Sequence, residues 1–209
     1  MNKYECTEEE FLNNVKDHSI EIIKDDGVHR HIKFSNNGSS SYRIDLITWP
    51  GCLCIRSDCG TYVFSRTIDM FEFFRTEDRD ISFSKDGLSI NPGYWGEKLL
   101  SVGTHAGYKE FSEEKFRDEI KYRFDYHVVD NNLNYVDARN LWMKIEHEIF
   151  SKLEIGPEHA FQAAYEFDSI DYSDDFPSCN VYTFHFIWCL YAIVWGIKKY
   201  DEQKRTNHD

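Results

Sequence analysis

The sequence predicts an α+β fold, in which an N-terminal antiparallel β-meander with a short helix packs against a C-terminal bundle of about four helices. In the first half, apolar and polar residues alternate between turn signals. In the second half, apolar residues recur every three or four positions. With 209 residues, the chain is long enough to bury a core as a single domain. We expect residues 1–105 to form its β-rich half and residues 106–209 its helical half.

The β-rich half is predicted to begin with a short helix and to continue as five strands. Thr7 to Glu10 has the form of a capping box, so a helix should run to about residue 17. Asp26-Gly27 is a strong hairpin signal, and Pro50-Gly51 suits a type II turn. Thr67 is expected to cap a short helix over IDMFEFFR. The strands are predicted at about residues 19–23, 28–34, 42–49, 52–56 and 61–65.

The helical half is predicted from four-residue spacing and from helix start signals. Ser112 is expected to cap the first helix, whose core positions include Phe116 and Ile120. A second helix carries Leu141 and Ile145, and Gly156-Pro157 should start a third at about residue 158. The last helix, from residue 181 to about 203, is apolar nearly all round.

The segment VYTFHFIWCLYAIVWGI, residues 181–197, contains no Asp, Glu, Lys or Arg. Its 17 residues are at the short limit for spanning a bilayer. A dense set of Trp and Tyr side chains, whose polar ends need partners, favours a central core helix over a C-terminal membrane anchor.

The formal net charge of −13 argues against direct nucleic-acid binding, because a phosphate backbone repels an acidic surface. It suits a partner that is itself basic, although acidity also serves solubility alone. The N-terminus lacks the apolar region of a secretory signal. Six unevenly spaced cysteines then indicate reduced thiols, and we expect the protein in a cytoplasm.

Cys52, Cys54 and Cys59 lie within eight residues and raise the possibility of a metal site. Cys52 and Cys54 would share one face of a strand about 7 Å apart, whereas zinc needs about four converging ligands. The sequence contains no second pair of ligands at suitable spacing. We therefore interpret the cysteines as small packed hydrophobes and expect no metal or cofactor.

The histidines give no clear catalytic arrangement. His29 and His31 share a solvent-facing side of a strand, and His147 lies off the apolar stripe of its helix. His185 is interpreted as a core histidine. Because phosphate-binding, dinucleotide-binding and nucleophile motifs are all missing, the sequence predicts no catalytic residue. A small enzyme using His29, His31 and Asp58 stays as the alternative.

An acidic strip between residues 158 and 179 is the most suggestive surface feature. It contains six acidic residues and no Lys or Arg in 22 positions. Such carboxylates could imitate a phosphate backbone and occupy a basic groove on a partner. A solvated loop between two helices would look the same. Beside Glu158, the predicted partner-binding residues are Glu166, Asp168, Asp171, Asp174 and Asp175.

Several segments together resemble a family of small accessory proteins encoded by tailed phages and prophages. They are DDGVHRHIKF, DLITWPG, DCGTYVFSR, DMFEFFR, INPGYWGEKL, KEFSEEKFR and YTFHFIWCLYAIVWGIKKYD, within about residues 20–125 and 181–201. The chain departs from the family pattern at its clustered cysteines, where other small residues are usual. The resemblance implies action in the cytoplasm of a bacterial host and carries no active site with it.

These observations lead to two expectations about function. The first is a phage-encoded acidic binding protein that inhibits a host defence or nucleic-acid-processing complex, of the anti-CRISPR or anti-restriction type. Its partner would be a host protein or ribonucleoprotein with a basic surface. The alternative is a small phage enzyme acting on nucleotides or nucleic acid.

Overall fold

The computed structural model describes residues 6–75, 87–103, 107–170 and 176–206. It confirms the predicted α+β class. The chain divides into two compact units. The sheet unit consists of Met1–Lys109 together with Tyr182–Asp209, and the helical unit is the inserted segment Glu110–Val181.

The sheet unit is built on six antiparallel strands in sequential order. Five match the predicted strands, and the sixth, which is only four residues long, was not predicted. The two tight turns have the expected glycines, with φ of +58° at Gly27 and +82° at Gly51. The strands are β1 (Ser19–Asp26), β2 (His29–Ser35), β3 (Ile44–Trp49), β4 (Cys52–Ser57), β5 (Gly60–Ser65) and β6 (Leu99–Val102).

The described part of the sheet unit also contains four helices: α1 (Glu8–Val15), α2 (Met70–Phe74), α3 (Pro92–Gly96) and α7 (Phe184–Thr206). As predicted, Thr7 caps α1, its hydroxyl accepting a hydrogen bond from the backbone N–H of Glu10. The prediction that Thr67 caps α2 was wrong. Asp69, not Thr67, accepts from the N–H of Phe71, while the Thr67 hydroxyl donates to the carbonyl of Asp69.

The core of the sheet unit lies between one face of the sheet and helix α7. Alternation along the strands puts eight apolar side chains on this face, each at most 1% exposed. They are Ile32, Phe34, Ile44, Leu46, Leu53, Ile55, Tyr62 and Phe64. Twelve residues of α7 are buried, so the predicted apolar helix is a core helix that belongs with the sheet. No helix among the described residues is long and apolar enough to cross a membrane.

Gly196 marks the closest approach of α7 to the sheet. A Cβ atom at this position would lie 2.7 Å from Cδ1 of Leu46 and 3.0 Å from Cε2 of Phe34. Both neighbours are fully buried, so neither has free space to move into. The absence of a side chain at position 196 therefore sets how closely the helix packs on strands β2 and β3.

A charged residue also lies on the buried face of the sheet. Arg30 shares the face of Ile32 and Phe34 and is 9% exposed. Its two terminal nitrogens each donate to Asp69 at 2.8 Å, and its guanidinium lies 4.6 Å from the centre of the Phe71 ring. Burial alone would raise the pKa of Asp69, but the hydrogen bonds from Arg30 and Phe71 outweigh it and lower that pKa. One carboxylate thus neutralises a buried cation and caps α2.

The C-terminal part of α7 is fixed to the rest of the sheet unit by further charged contacts. Arg75 binds Asp201 through two nitrogens, at 2.9 and 2.8 Å. The Tyr200 hydroxyl and Lys204 Nζ both donate to the Asp25 carboxylate at 2.9 Å. These contacts join the end of the apolar helix to β1 and to the residue that follows α2.

The helical unit has its own core, and its three α-helices match the predicted ones, whereas two short strands and a 3₁₀ helix were not predicted. Ser112 caps the first helix as expected, its hydroxyl accepting from the N–H of Lys115. Phe116 is fully buried, and its ring meets those of Phe111, Phe161 and Phe176. The elements are β7 (Lys109–Phe111), α4 (Glu113–Asp130), α5 (Tyr135–Glu148), a 3₁₀ helix (Phe150–Glu154), α6 (Pro157–Tyr165) and β8 (Asn180–Tyr182). Strands β7 and β8 pair where the chain enters and leaves this unit.

We predict that Gly196→Ala lowers the free energy of unfolding by about 1–3 kcal/mol, because the added methyl group overpacks the contact with Leu46 and Phe34. Urea unfolding measures the change. Gly93→Ala is the matched control, because it too lies in a helix but would meet only a side-chain oxygen at 3.8 Å. The control should be neutral or slightly stabilising. A Gly196→Ala protein as stable as the wild type would contradict this account of the packing.

We also predict that Asp69→Asn destabilises the protein by about 2 kcal/mol at neutral pH, since Arg30 loses its charged partner but the helix cap is retained. The folded-state pKa of Asp69 is lowered, so its stabilisation is complete above the unfolded value of about 3.9 and is lost as pH falls through the folded value. The difference between variant and wild type should therefore shrink below about pH 4.

The control for this measurement is Asp17→Asn, which makes the same chemical change at an exposed position. Its effect should stay within about 0.5 kcal/mol. A pH-independent difference between Asp69→Asn and the wild type would show that the carboxylate charge is not what stabilises Arg30.

Candidate protein-binding surface on the helical unit

The clustered cysteines form no site with the geometry of a metal centre. Cys52 and Cys54 lie half-buried on one face of β4, and Cys59 is buried in the turn that follows this strand. Burial raises the pKa of the Cys59 thiol to about 12, with a further contribution from Asp58, and burial also raises the pKa of Cys54. Within the described part of the chain, no three His, Cys, Asp or Glu side chains group as metal ligands would.

The structure separates the three residues of the enzyme alternative. His31 Nε2 lies 3.0 Å from Oδ1 of Asp45, a carboxylate that is only 5% exposed. Asp58 instead accepts a hydrogen bond from the backbone N–H of Tyr42. His31 and Asp58 are two strands and four residues apart, which corresponds to about 16 Å in a sheet. Their side chains cannot act on one substrate atom.

Two other histidines, His147 and His185, lie at the surface. His147 is exposed, as predicted from its position off the apolar stripe. The interpretation of His185 as a core residue was wrong, because its side chain is exposed in the first turn of α7. The buried part of that helix begins one residue later, at Phe186. A sequence that is apolar on all sides gives no indication of which turn reaches the surface.

Negative charge is concentrated in the helical unit. The 72 residues of Glu110–Val181 contain 17 acidic and seven basic residues, a net charge of −10. The larger sheet unit contains 20 acidic and 17 basic residues, a net charge of −3. Most of the excess charge of the protein is therefore on one inserted segment.

The acidic strip lies in this unit, and the structure describes part of it. Glu158 and Glu166 are exposed at the start and end of α6, and Asp168 is exposed in the turn that follows. The Glu166 carboxylate accepts a hydrogen bond from the side-chain amide of Gln162. Asp171, Asp174 and Asp175 lie outside the described residues.

Two apolar side chains hold the described part of the strip in place. Phe167 and Ile170 are 6% and 5% exposed and belong to the core of the helical unit. Because they flank Asp168 and Ser169, they fix the backbone while these polar residues face solvent. The strip is thus attached to a folded core at this end.

A cavity of about 370 Å³ lies between α4 and this segment. Ile170 contributes one apolar side, and the exposed rings of Tyr122 and Tyr126 contribute another. The polar lining consists of Arg123, His127, Asp130 and Asn131. The cavity places aromatic surface directly beside the acidic strip.

Sequence reasoning missed the tyrosines, although a signal for them was available. Tyr122 and Tyr126 are four residues apart, so they share one face of α4. This face is different from that of the buried Phe116 and Ile120, and an exposed pair of aromatic residues is a recognised mark of an interface. The described residues of the helical unit include six more exposed large apolar side chains: Val129, Tyr135, Val136, Met143, Ile155 and Tyr165.

The sheet unit has a second cavity, of about 310 Å³, beside the C-terminal part of α7. Arg75, Lys198 and Arg205 contribute positive charge to its lining, and Asp201 contributes negative charge. Since Arg75 and Asp201 bind each other through two hydrogen bonds, these two groups are already paired. The cavity on the helical unit combines unpaired aromatic surface with excess charge and is the stronger candidate.

The chain matches no protein-family model, no curated protein and no solved structure. The candidate surface is therefore defined by its own geometry and charge.

We predict that thiol reagents modify the native protein at no more than Cys52 and Cys54, because the other four cysteines are buried and burial raises their pKa values. Counting labelled sites by mass spectrometry, with and without denaturant, measures this. A Cys52→Ser, Cys54→Ser protein should stay unlabelled until it is unfolded. Rapid labelling of Cys59 in the native protein would contradict the prediction.

Proposed function

We propose that this protein is a binding protein whose helical unit presents an acidic surface, together with exposed aromatic side chains, to a basic surface of another protein. The observation that carries the proposal is the net charge of −10 on 72 residues that have their own core. A folded core keeps the charges at fixed positions, which a disordered acidic tail would not do.

The charge and the exposed rings would serve different steps of binding. Excess charge on one unit attracts an oppositely charged partner from a distance and accelerates the encounter. Most of the binding free energy comes instead from a few side chains that become buried in the interface. Tyr, Trp and Arg are the usual residues in this role. Tyr122 and Tyr126, about two-thirds exposed and beside the acidic strip, have the properties of such anchors.

The finer proposal is that the protein is phage-encoded and acts in the cytoplasm of its bacterial host. The resemblance of its sequence segments to phage accessory proteins supports this proposal. The target would be a host defence or nucleic-acid-processing complex, because such complexes have grooves lined with Lys and Arg that bind phosphates. Carboxylates at phosphate-like positions would occupy that groove, as anti-CRISPR or anti-restriction inhibitors would.

The experiment is an affinity pull-down from bacterial lysate, comparing the wild type with a variant in which four acidic residues of the strip are changed to Lys. We predict that recovery of the specific partner falls about tenfold or more, because attraction becomes repulsion at the interface. Quantitative mass spectrometry measures the recovery. The substituted residues are Asp168, Asp171, Asp174 and Asp175.

The control changes the same total charge elsewhere. Four exposed acidic residues of the sheet unit are changed to Lys, and this variant should retain the partner if the helical unit forms the interface. Equal loss with both variants would indicate a response to net charge alone, and unchanged recovery with the strip variant would refute the proposed surface. The control residues are Glu9, Asp17, Asp26 and Glu72.

A further inference from the structure

Four side chains form a continuous exposed ridge along α4. Asp118, Tyr122, Tyr126 and Asp130 follow at four-residue spacing, so they lie one above another on the same helix face. The two central rings are 68% and 66% exposed. We call these four residues the tyrosine ridge. An acidic group stands at each end of a pair of aromatic rings.

The two tyrosines have no structural role that would explain their exposure. Other aromatic residues of α4, such as Phe116 and Phe124, pack on neighbouring rings. Among the described residues, the side chains of Tyr122 and Tyr126 take part in no ring contact and no hydrogen bond. Two unpartnered rings at the mouth of a cavity are available to a ligand.

The cavity beside the ridge is electrostatically suited to a cation. It lies at the C-terminal end of an 18-residue helix, where the aligned peptide dipoles create a partial negative charge. The Asp130 carboxylate adds a full negative charge at the same end, and it is exposed. Both features favour a positively charged group.

The one arginine in the cavity lining does not reverse this preference. Arg123 Nε donates to the Glu119 carboxylate at 2.7 Å, and its guanidinium lies 5.4 Å from the centre of the Phe176 ring. Its charge is therefore balanced by a neighbour on the same helix. With the helical unit at a net charge of −10, the long-range field attracts cations as well.

We infer that the tyrosine ridge is the docking site for an arginine side chain in a basic segment of the partner protein. A guanidinium group is planar, so it can stack on an aromatic ring and also form two parallel hydrogen bonds with a carboxylate. The ridge and cavity provide both groups, Tyr126 and Asp130, one helical turn apart. A cavity of about 370 Å³ accommodates one side chain of this size. The inference rests on the proposed binding function and names the chemistry of its partner.

Arginine is favoured over lysine at this site. A lysine ammonium is a compact and strongly hydrated charge that loses more solvation energy on entering an aromatic site. It also forms only a point contact with a carboxylate. A site selected for charge alone would not need the two rings.

The test uses the full-length protein and two synthetic peptides of equal length and charge, one alternating Arg with Gly and the other alternating Lys with Gly. Isothermal titration calorimetry at low salt measures the dissociation constants. The arginine peptide should bind about threefold or more tightly than the lysine peptide. Tyr122→Ala combined with Tyr126→Ala should weaken arginine-peptide binding about tenfold, and Asp130→Asn should weaken it about fivefold.

Two matched controls separate the ridge from the rest of the acidic unit. Tyr135→Ala removes a tyrosine that is 78% exposed on α5, and Glu154→Gln removes an exposed acidic residue outside the ridge. Both should change binding less than twofold. Circular dichroism and thermal unfolding establish that every variant is folded.

The possible failures of the inference and of the proposed function can be distinguished. Equal affinity for the two peptides, equal loss from ridge and control variants, or no binding to the wild type would each overturn the inference. Partner recovery that still depends on the strip carboxylates would leave the proposed function intact in those cases. Conversely, arginine-peptide binding could depend on the ridge while charge reversal in the acidic strip leaves partner recovery unchanged. That result would support the ridge as a docking site and refute the acidic strip as the partner-binding surface.

Discussion

The sheet unit depends on the close packing of helix α7 against one face of the sheet. Gly196 allows the helix backbone to approach Leu46 and Phe34 at distances that any side chain would prevent. This contact positions Trp188, whose indole N–H reaches Asn14 on α1 at 3.0 Å, and Tyr200, whose hydroxyl reaches Asp25 on β1. Helix α7 follows residue 182 in the chain and thus contacts elements formed by the first quarter of the sequence. The core is therefore complete only when both ends of the chain are in place.

The buried charges of the sheet unit follow from the same packing. Arg30 lies on a face that α7 and α2 cover, so its charge needs a partner inside the core, and Asp69 provides it. Since Asp69 also caps α2, the register of β2 and the start of this helix are coupled. Such a pair adds specificity to a fold more than it adds stability. By contrast, the charges of the helical unit are mostly at its surface, where they are available to a partner.

The two units of the chain use their aromatic residues differently. The sheet unit uses its aromatic residues for packing: Phe11, Phe34 and Phe64 all meet other rings in its core. The helical unit has a smaller core and leaves several tyrosines exposed. Its excess negative charge would oppose its own folding, and the proposed binding of a basic partner would offset that cost.

The sequence by itself determined the class of fold and most of the local elements. These local elements depend on neighbouring residues, so they can be predicted directly from the sequence. They include the strand alternation, the Asp-Gly and Pro-Gly turns, and the helix caps at Thr7 and Ser112. The acidic strip was also predicted, from composition alone. Tertiary structure alone decided that α7 belongs to the sheet unit, because a helix that is apolar on all sides carries no information about its partner. It likewise decided the pairing of Arg30 with Asp69 across 39 positions, the exposure of His185, and the cavity that brings Ile170 beside Tyr122 and Tyr126. Each of these depends on contacts between distant segments, which local periodicity cannot encode.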